Sequence, residues 1–221
     1  MKKMFQISSL TLVFFFSMFI HAHPTEAPSK KSKTYVLVHS DCLRAWQWQQ
    51  VAKTLKAAGH TVITLDLAGH GSDKTPASDI TMETYVNKLI AILDSQQEKV
   101  VLVGHSFNGI TISRVVELQS KKIDWLVYLT AFLLPNGASF YDTVQRVPDS
   151  KAVEHFFLSE EQTQAFVKES EMQNEFAHDI PAEAFDQAKA YIVLEPAAPL
   201  GYKLDVTDAV FEKTPKYYIE C

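Results

Sequence analysis

Ser106 stands in VVLVGHSFNG, residues 100–109, where a run of branched apolar residues gives way to Gly104-His105-Ser106 and then to a helical pattern. A serine at such a strand-to-helix bend can act as a nucleophile. The sharp turn lifts its hydroxyl above the sheet, and the helix N-terminus beside it favours developing negative charge. The competing expectation is that Ser106 caps a helix, as serine often does. In the Gly-X-Ser-X-Gly pattern Asn108 holds the last position, where glycine is usual, and Gly109 follows one place later. Attack on a carbonyl also needs backbone N–H donors for the oxyanion, each worth roughly 3 kcal/mol of barrier. One would come from Phe107, directly after the serine, and the other from the segment His39-Ser40-Asp41, which ends an earlier apolar run.

The elements that must position these groups read as alternating strand and helix. Tyr35–His39 is a short buried strand, and residues 45–58 place Trp48, Val51, Ala52 and Leu55 at helical spacing before Gly59. Thr61–Leu67 is the next strand, followed by the turn-rich loop Ala68–Asp73. Met82, Val86, Leu89, Ile90 and Leu93 mark an amphipathic helix. Val100–Val103 and Ile123–Thr130 are strands on either side of a helix over about 107–118. This alternation implies a mostly parallel sheet flanked by helices, with right-handed crossovers. From about residue 135 to 215 the pattern changes. Helical stretches at 160–170 and 182–190 alternate with proline-containing turns, which predicts a helical cap without strands. Lys216–Glu220 returns as a fifth parallel strand.

The stretches YVLVHSDCLRAWQWQQVAKTLKAAGHTVITLDLAGHG, VVLVGHSFNGITISRVVE and WLVYLTAFLLPNGAS resemble the plant methylesterase and hydroxynitrile-lyase family and the similar bacterial EstC-like esterases. The likeness runs from about Thr34 to Cys221 and is densest before Gly137. It implies an α/β-hydrolase fold with a helical cap over an apolar pocket, Ser106 as nucleophile, and the backbone amides of Asp41 and Phe107 as oxyanion hole. The implied function is hydrolysis of small, largely apolar carboxylic esters through an acyl-enzyme. Two other outcomes stay open: a hydroxynitrile lyase-like enzyme, and a catalytically inactive small-molecule-binding homologue. Ser40 stands where esterases of this kind carry glycine and the lyases threonine. Asp41 puts a carboxyl group beside the oxyanion hole, where an ionised, inward-turned side chain would oppose an oxyanion.

The family places its acid just after the strand equivalent to 216–220 and its histidine after one further strand. The sequence stops at Cys221, so the expectation is a truncated or degenerate hydrolase lacking the last strand and helix, with impaired activity. Downstream of Ser106 the histidines are His155 and His178, both in the expected cap and poorly placed as bases. Asp142 and Asp179 read as turn or helix caps. His39 and His105 flank the site as structural residues of the pocket surroundings, and His70 reads as a turn residue.

Bulk properties narrow the rest. A net charge of −5 without a basic cluster excludes a nucleic-acid footprint, and no metal or cofactor is called for. Lys2 and Lys3 precede an apolar run from Phe5 to Ile20 that ends near Ala22, which predicts a signal peptide over 1–22. Residues 23–33 then form a flexible lead-in, and 34–221 the hydrolase domain. The protein is thus expected to be exported, to the periplasm or outside the cell, without stable membrane association once the signal is removed; an uncleaved N-terminal anchor is the alternative. Cys42 and Cys221 are the two cysteines. The strands ending near them should lie about three positions apart, roughly 14 Å at 4.8 Å per strand, too far for a disulfide.

Overall fold

Residues on opposite faces of two adjacent strands feed two separate apolar clusters, which is why these strands read as continuous apolar runs. Val36, Val38, Val100 and Leu102 pack into the larger cluster, while the alternate residues Leu37, Val101 and Val103 join Trp48 in the smaller one. The computed structural model that shows this describes residues 31–147, 154 and 156–220. The expected signal peptide, most of the lead-in, His155 and Cys221 lie outside the described residues, and so does the question of a bridge to Cys42. Among the described residues no helix is long and apolar enough to cross a membrane.

The strands are β1 (Thr34–Val38), β2 (Thr61–Leu65), β3 (Val100–His105), β4 (Ile123–Leu129), β5 (Phe156–Leu158), β6 (Gln164–Val167), β7 (Glu195–Pro196) and β8 (Lys216–Ile219). Five of them form a parallel sheet of order β2-β1-β3-β4-β8. The expected fifth parallel strand is therefore present, at the sheet's edge, with Tyr217, Tyr218 and Ile219 about half exposed.

Helices α1 (Gln49–Ala57), α2 (Met82–Asp94) and α3 (Asn108–Gln119) make the crossovers. Helix α2 buries Met82, Tyr85, Val86, Leu89 and Leu93, the three-and-four spacing expected of it. Burial of each such apolar side chain contributes about 1.5–3 kcal/mol. A 3₁₀ turn, Ala45–Trp48, precedes α1, and the packed stripe is Trp48, Ala52 and the partly buried Leu55. Val51 lies off that stripe and is exposed, against the expectation that it faces the core.

Beyond the main sheet come α4 (Phe140–Val144), α5 (Glu169–Phe176), α6 (Ala182–Lys189) and α7 (Asp208–Phe211). The cap is not purely helical. Strands β5, β6 and β7 form a small antiparallel sheet, and the helix expected over 160–170 is replaced by a turn and strand β6. Ala165 and Val167 alternate inward there, and Phe157 meets Phe166 across the strands at 6.0 Å. Alternation and cross-strand aromatic packing won over a weak helical pattern.

Candidate active site

The elbow comes first. Ser106 directly follows β3 with φ +52°, a backbone conformation a residue with a Cβ rarely adopts. The surrounding main chain holds it there. Ser106 N–H donates to Leu129 O (3.2 Å), while its carbonyl accepts from Phe132 N–H (3.0 Å) and Gly109 N–H (3.1 Å). Space is the other requirement. A Cβ on Gly109 would lie 2.5 Å from Phe132 O, and one on Gly104 2.7 Å from Asn108 O. The side chain of Asn108, at the position where glycine is usual, is fully buried and hydrogen-bonded through both its nitrogen and its oxygen. Its Nδ2 donates to His39 O (2.7 Å) and its Oδ1 accepts from Thr111 Oγ1 (2.6 Å).

Opposite the elbow runs the loop after β1. Ser40 N–H donates to Gln47 Oε1 (2.9 Å), and the Ser40 hydroxyl contacts the same oxygen (3.2 Å) and Asp41 O (3.1 Å). That fixes the amide of Gln47, whose Nε2 donates to His105 Nδ1 (2.9 Å). Ala45 N–H donates to Asp66 Oδ1 (2.7 Å). Cys42, buried and in no disulfide among the described residues, has φ +55°. Burial, with the charges of Asp41 and Glu195 beside it, pushes the thiol well above its ordinary pKa. It is no thiolate nucleophile.

The side chain of Asp41 is turned inward. The Ser106 hydroxyl donates to Asp41 Oδ1 at 3.1 Å, and the backbone amides of Asp41 and Phe107 lie close enough to this carboxylate to favour its charged form. Burial, and next the charge of Glu195, raise its pKa to about 6, with those three donors pulling the other way. Of the groups that sequence reasoning selected, the Ser106 hydroxyl and the Asp41 side chain are thus brought together.

The histidines beside the site are neutral. His39 Nε2 accepts from Leu67 N–H (3.0 Å), so the proton sits on Nδ1, which donates to Ser40 O (2.7 Å). Burial, and next His70, lower its pKa to about 3. Burial likewise lowers His105 to about 4. Of the more distant candidates, His178 and Asp179 are exposed, and Asp142 caps α4 with Ser139. None of these three is brought to Ser106.

Sequence reasoning missed Glu195 and the burial of His70. Glu195 is 1% exposed; His70 is the turn residue expected, its backbone donating to Leu67 O (3.1 Å) and accepting from Asp73 N–H (3.0 Å), but its side chain is fully buried. Glu195 Oε2 accepts from Cys42 N–H (3.0 Å) and pairs with His70 Nε2 (2.9 Å), and Oε1 accepts from Tyr85 OH (2.8 Å). Burial alone would lower His70, but the hydrogen bond and charge of Glu195 more than offset it and raise its pKa. One signal was available: Glu195 is the lone charged residue in YIVLEPAAPLGY, residues 191–202.

A parallel sheet with a strained serine between β3 and α3, and backbone donors facing it from the loop after β1, defines the α/β-hydrolase architecture. The chain belongs to the alpha/beta hydrolase family, whose model matches residues 35–220. It is 44% identical to Methylesterase 8 of Arabidopsis thaliana over 111 residues, 48% of this chain and 41% of that protein. It is 38% identical to Salicylic acid-binding protein 2 of Nicotiana tabacum over 107 residues, 47% of this chain and 41% of that protein. These matches thus span under half the length of the curated relatives. Among solved structures it resembles an extracellular alpha/beta-hydrolase from a Paenibacillus species. There the TM-score is 0.72 and the identity 25%, covering 85% of this chain and 77% of that one.

Proposed function

We propose that this protein hydrolyses small, largely apolar carboxylic esters through an acyl-enzyme on Ser106, with the amides of Asp41 and Phe107 as oxyanion hole. The observation that carries the reading is the hydrogen bond from the Ser106 hydroxyl, at the strained bend, to an anionic group that the two amides also favour. The Asp41 carboxylate stands in for the charged oxygen of a tetrahedral intermediate. Donors preorganised on that point stabilise charge that develops only in the transition state. The likeness to methylesterases over the densest part of the chain supports the substrate class. A fluorophosphonate probe should label the wild type and not Ser106→Ala, and p-nitrophenyl acetate turnover should fall at least about a hundredfold in that variant. Equal labelling and turnover in both would refute the assignment.

We also propose export. Lys2 and Lys3 followed by the apolar run to Ile20 and the small residue Ala22 support it. N-terminal sequencing of the secreted protein should find a start near His23.

A further inference from the structure

The oxyanion position already has an occupant. A substrate carbonyl oxygen must come within about 2.7–3.1 Å of both amide nitrogens to be stabilised. In this structure the Ser106 hydroxyl donates to the carboxylate of Asp41 at 3.1 Å, and both amides lie close enough to that carboxylate to favour its charge. Two oxygens cannot share that point. We propose that Asp41 sets the reactivity and selectivity of the Ser106 site as an internal carboxylate that competes with the substrate carbonyl for the oxyanion hole. The proposal rests on the Ser106 reading above and says what limits it.

The charges around Asp41 explain why it holds on to these donors. From β7 it faces Glu195, whose like charge opposes it. From its own loop it faces the neutral Cys42 thiol, and from α2 Tyr85, whose hydroxyl is committed to Glu195. His70, the cation-forming neighbour, is paired with Glu195. The ionised side chain therefore depends on the Ser106 hydroxyl and the two amides, the donors an ester would need. Charge-assisted hydrogen bonds of this kind are about twice as strong as neutral ones, so a neutral carbonyl oxygen competes poorly. Acidification should relax the competition, because a protonated carboxyl grips the amides less and can turn its own O–H toward a carbonyl.

The test uses the full chain, as wild type, Asp41→Ala and Asp41→Asn, with sodium phenylacetate as probe for the emptied anion site. At pH 7.5 Asp41→Ala should bind phenylacetate at least about tenfold more tightly than wild type. Its Ser106 should react with a fluorophosphonate about tenfold faster. Asp41→Asn, isosteric and neutral, should move both in the same direction by less, and it serves alone if the alanine variant does not fold. A folded Asp41→Ala that binds phenylacetate no better than wild type overturns the proposal. So does slower labelling, which would make Asp41 the proton acceptor of Ser106. The two readings separate cleanly. Tighter phenylacetate binding with no labelling at Ser106 in any variant keeps the competitor and refutes the nucleophile. Labelling of wild type with no gain in either assay does the reverse.

Discussion

The turn at Gly104–Gly109 is held by main-chain bonds, whereas the loop at His39–Trp48 is held by side chains, one from within it and two from elsewhere. In the elbow, main-chain bonds from Leu129, Phe132 and Gly109 fix Ser106. In the facing loop, Gln47, Asp66 and Glu195 each supply an acceptor to a backbone N–H. The cap adds Val193 N–H to Cys42 O (2.9 Å), Arg44 to Ala190 O, and Trp46 stacked on Tyr191. Asn108 is the tie between the two, reaching His39 O. The bend at Ser106 should therefore stay formed under changes that loosen the facing loop.

The largest expected effect comes from Glu195→Ala. It leaves Cys42 N–H and Tyr85 OH buried without their acceptor and strips His70 of its partner, a loss of about 3–5 kcal/mol for a broken buried pair. At a few degrees per kcal/mol in a domain of this size, Tm should drop by about 10 °C or more. Hydrogen exchange sharpens the comparison. Amides 40–47 should lose protection well before amides 106–110. Equal loss in both loops would show that they are one unit.

Gly109→Ala attacks the other side. Its Cβ would meet backbone, Phe132 O at 2.5 Å, and backbone cannot swing away as a side-chain tip can. The cost should be about 2–3 kcal/mol in urea unfolding. Here the elbow should lose exchange protection while the loop after β1 keeps its own, the reverse of the Glu195 result.

This contrast also separates what the sequence made legible. Strand, tight turn and helix follow one another within residues 100–119, so local pattern was enough to find β3, Ser106 and α3. The sheet strands β1 to β4 and β8 were legible for the same reason. Glu195 was not, because its partners Cys42, His70 and Tyr85 lie more than a hundred residues away in sequence. Nor was the cap sheet. Strands of two to four residues, one of them Glu195-Pro196 with an edge proline, carry too little alternation to be read. The bulk of Asn108 looked like a defect in the elbow, and only its contact with His39 O explains it.

Acid titration of groups in these two loops acts with both signs. His39 and His105 have pKa values lowered to about 3 and about 4. Below pH 6.5 the unfolded chain takes up protons that the native state does not, and stability falls as the pH drops. Asp41, raised to about 6, works the other way. Between pH 4 and 6 the native state binds more protons than the unfolded chain, so stability falls as the pH rises. The two partly cancel in the wild type. Asp41→Asn removes one of them and should be about 2 kcal/mol more stable at pH 7, with a steeper loss between pH 6 and 4. Parallel stability-pH curves for the two proteins would mean that Asp41 is solvated rather than held in the hole.

The smallest effect tests whether the cap matters to the loop beyond Glu195. Trp46 stacks on Tyr191 at 4.1 Å and 5° between planes, with Arg44 4.9 Å from the same ring. Both rings are only partly buried, so the coupling in a Trp46→Ala, Tyr191→Ala double-mutant cycle should be about 0.5–1.5 kcal/mol. Loss of the stack frees one end of the loop while leaving Cys42 N–H on Glu195 and Ser40 N–H on Gln47. Fluorophosphonate labelling of Ser106 should then change by less than about threefold. A larger change would mean that the oxyanion side is positioned by the cap surface as a whole, and that Glu195 is one contact among several rather than the clamp.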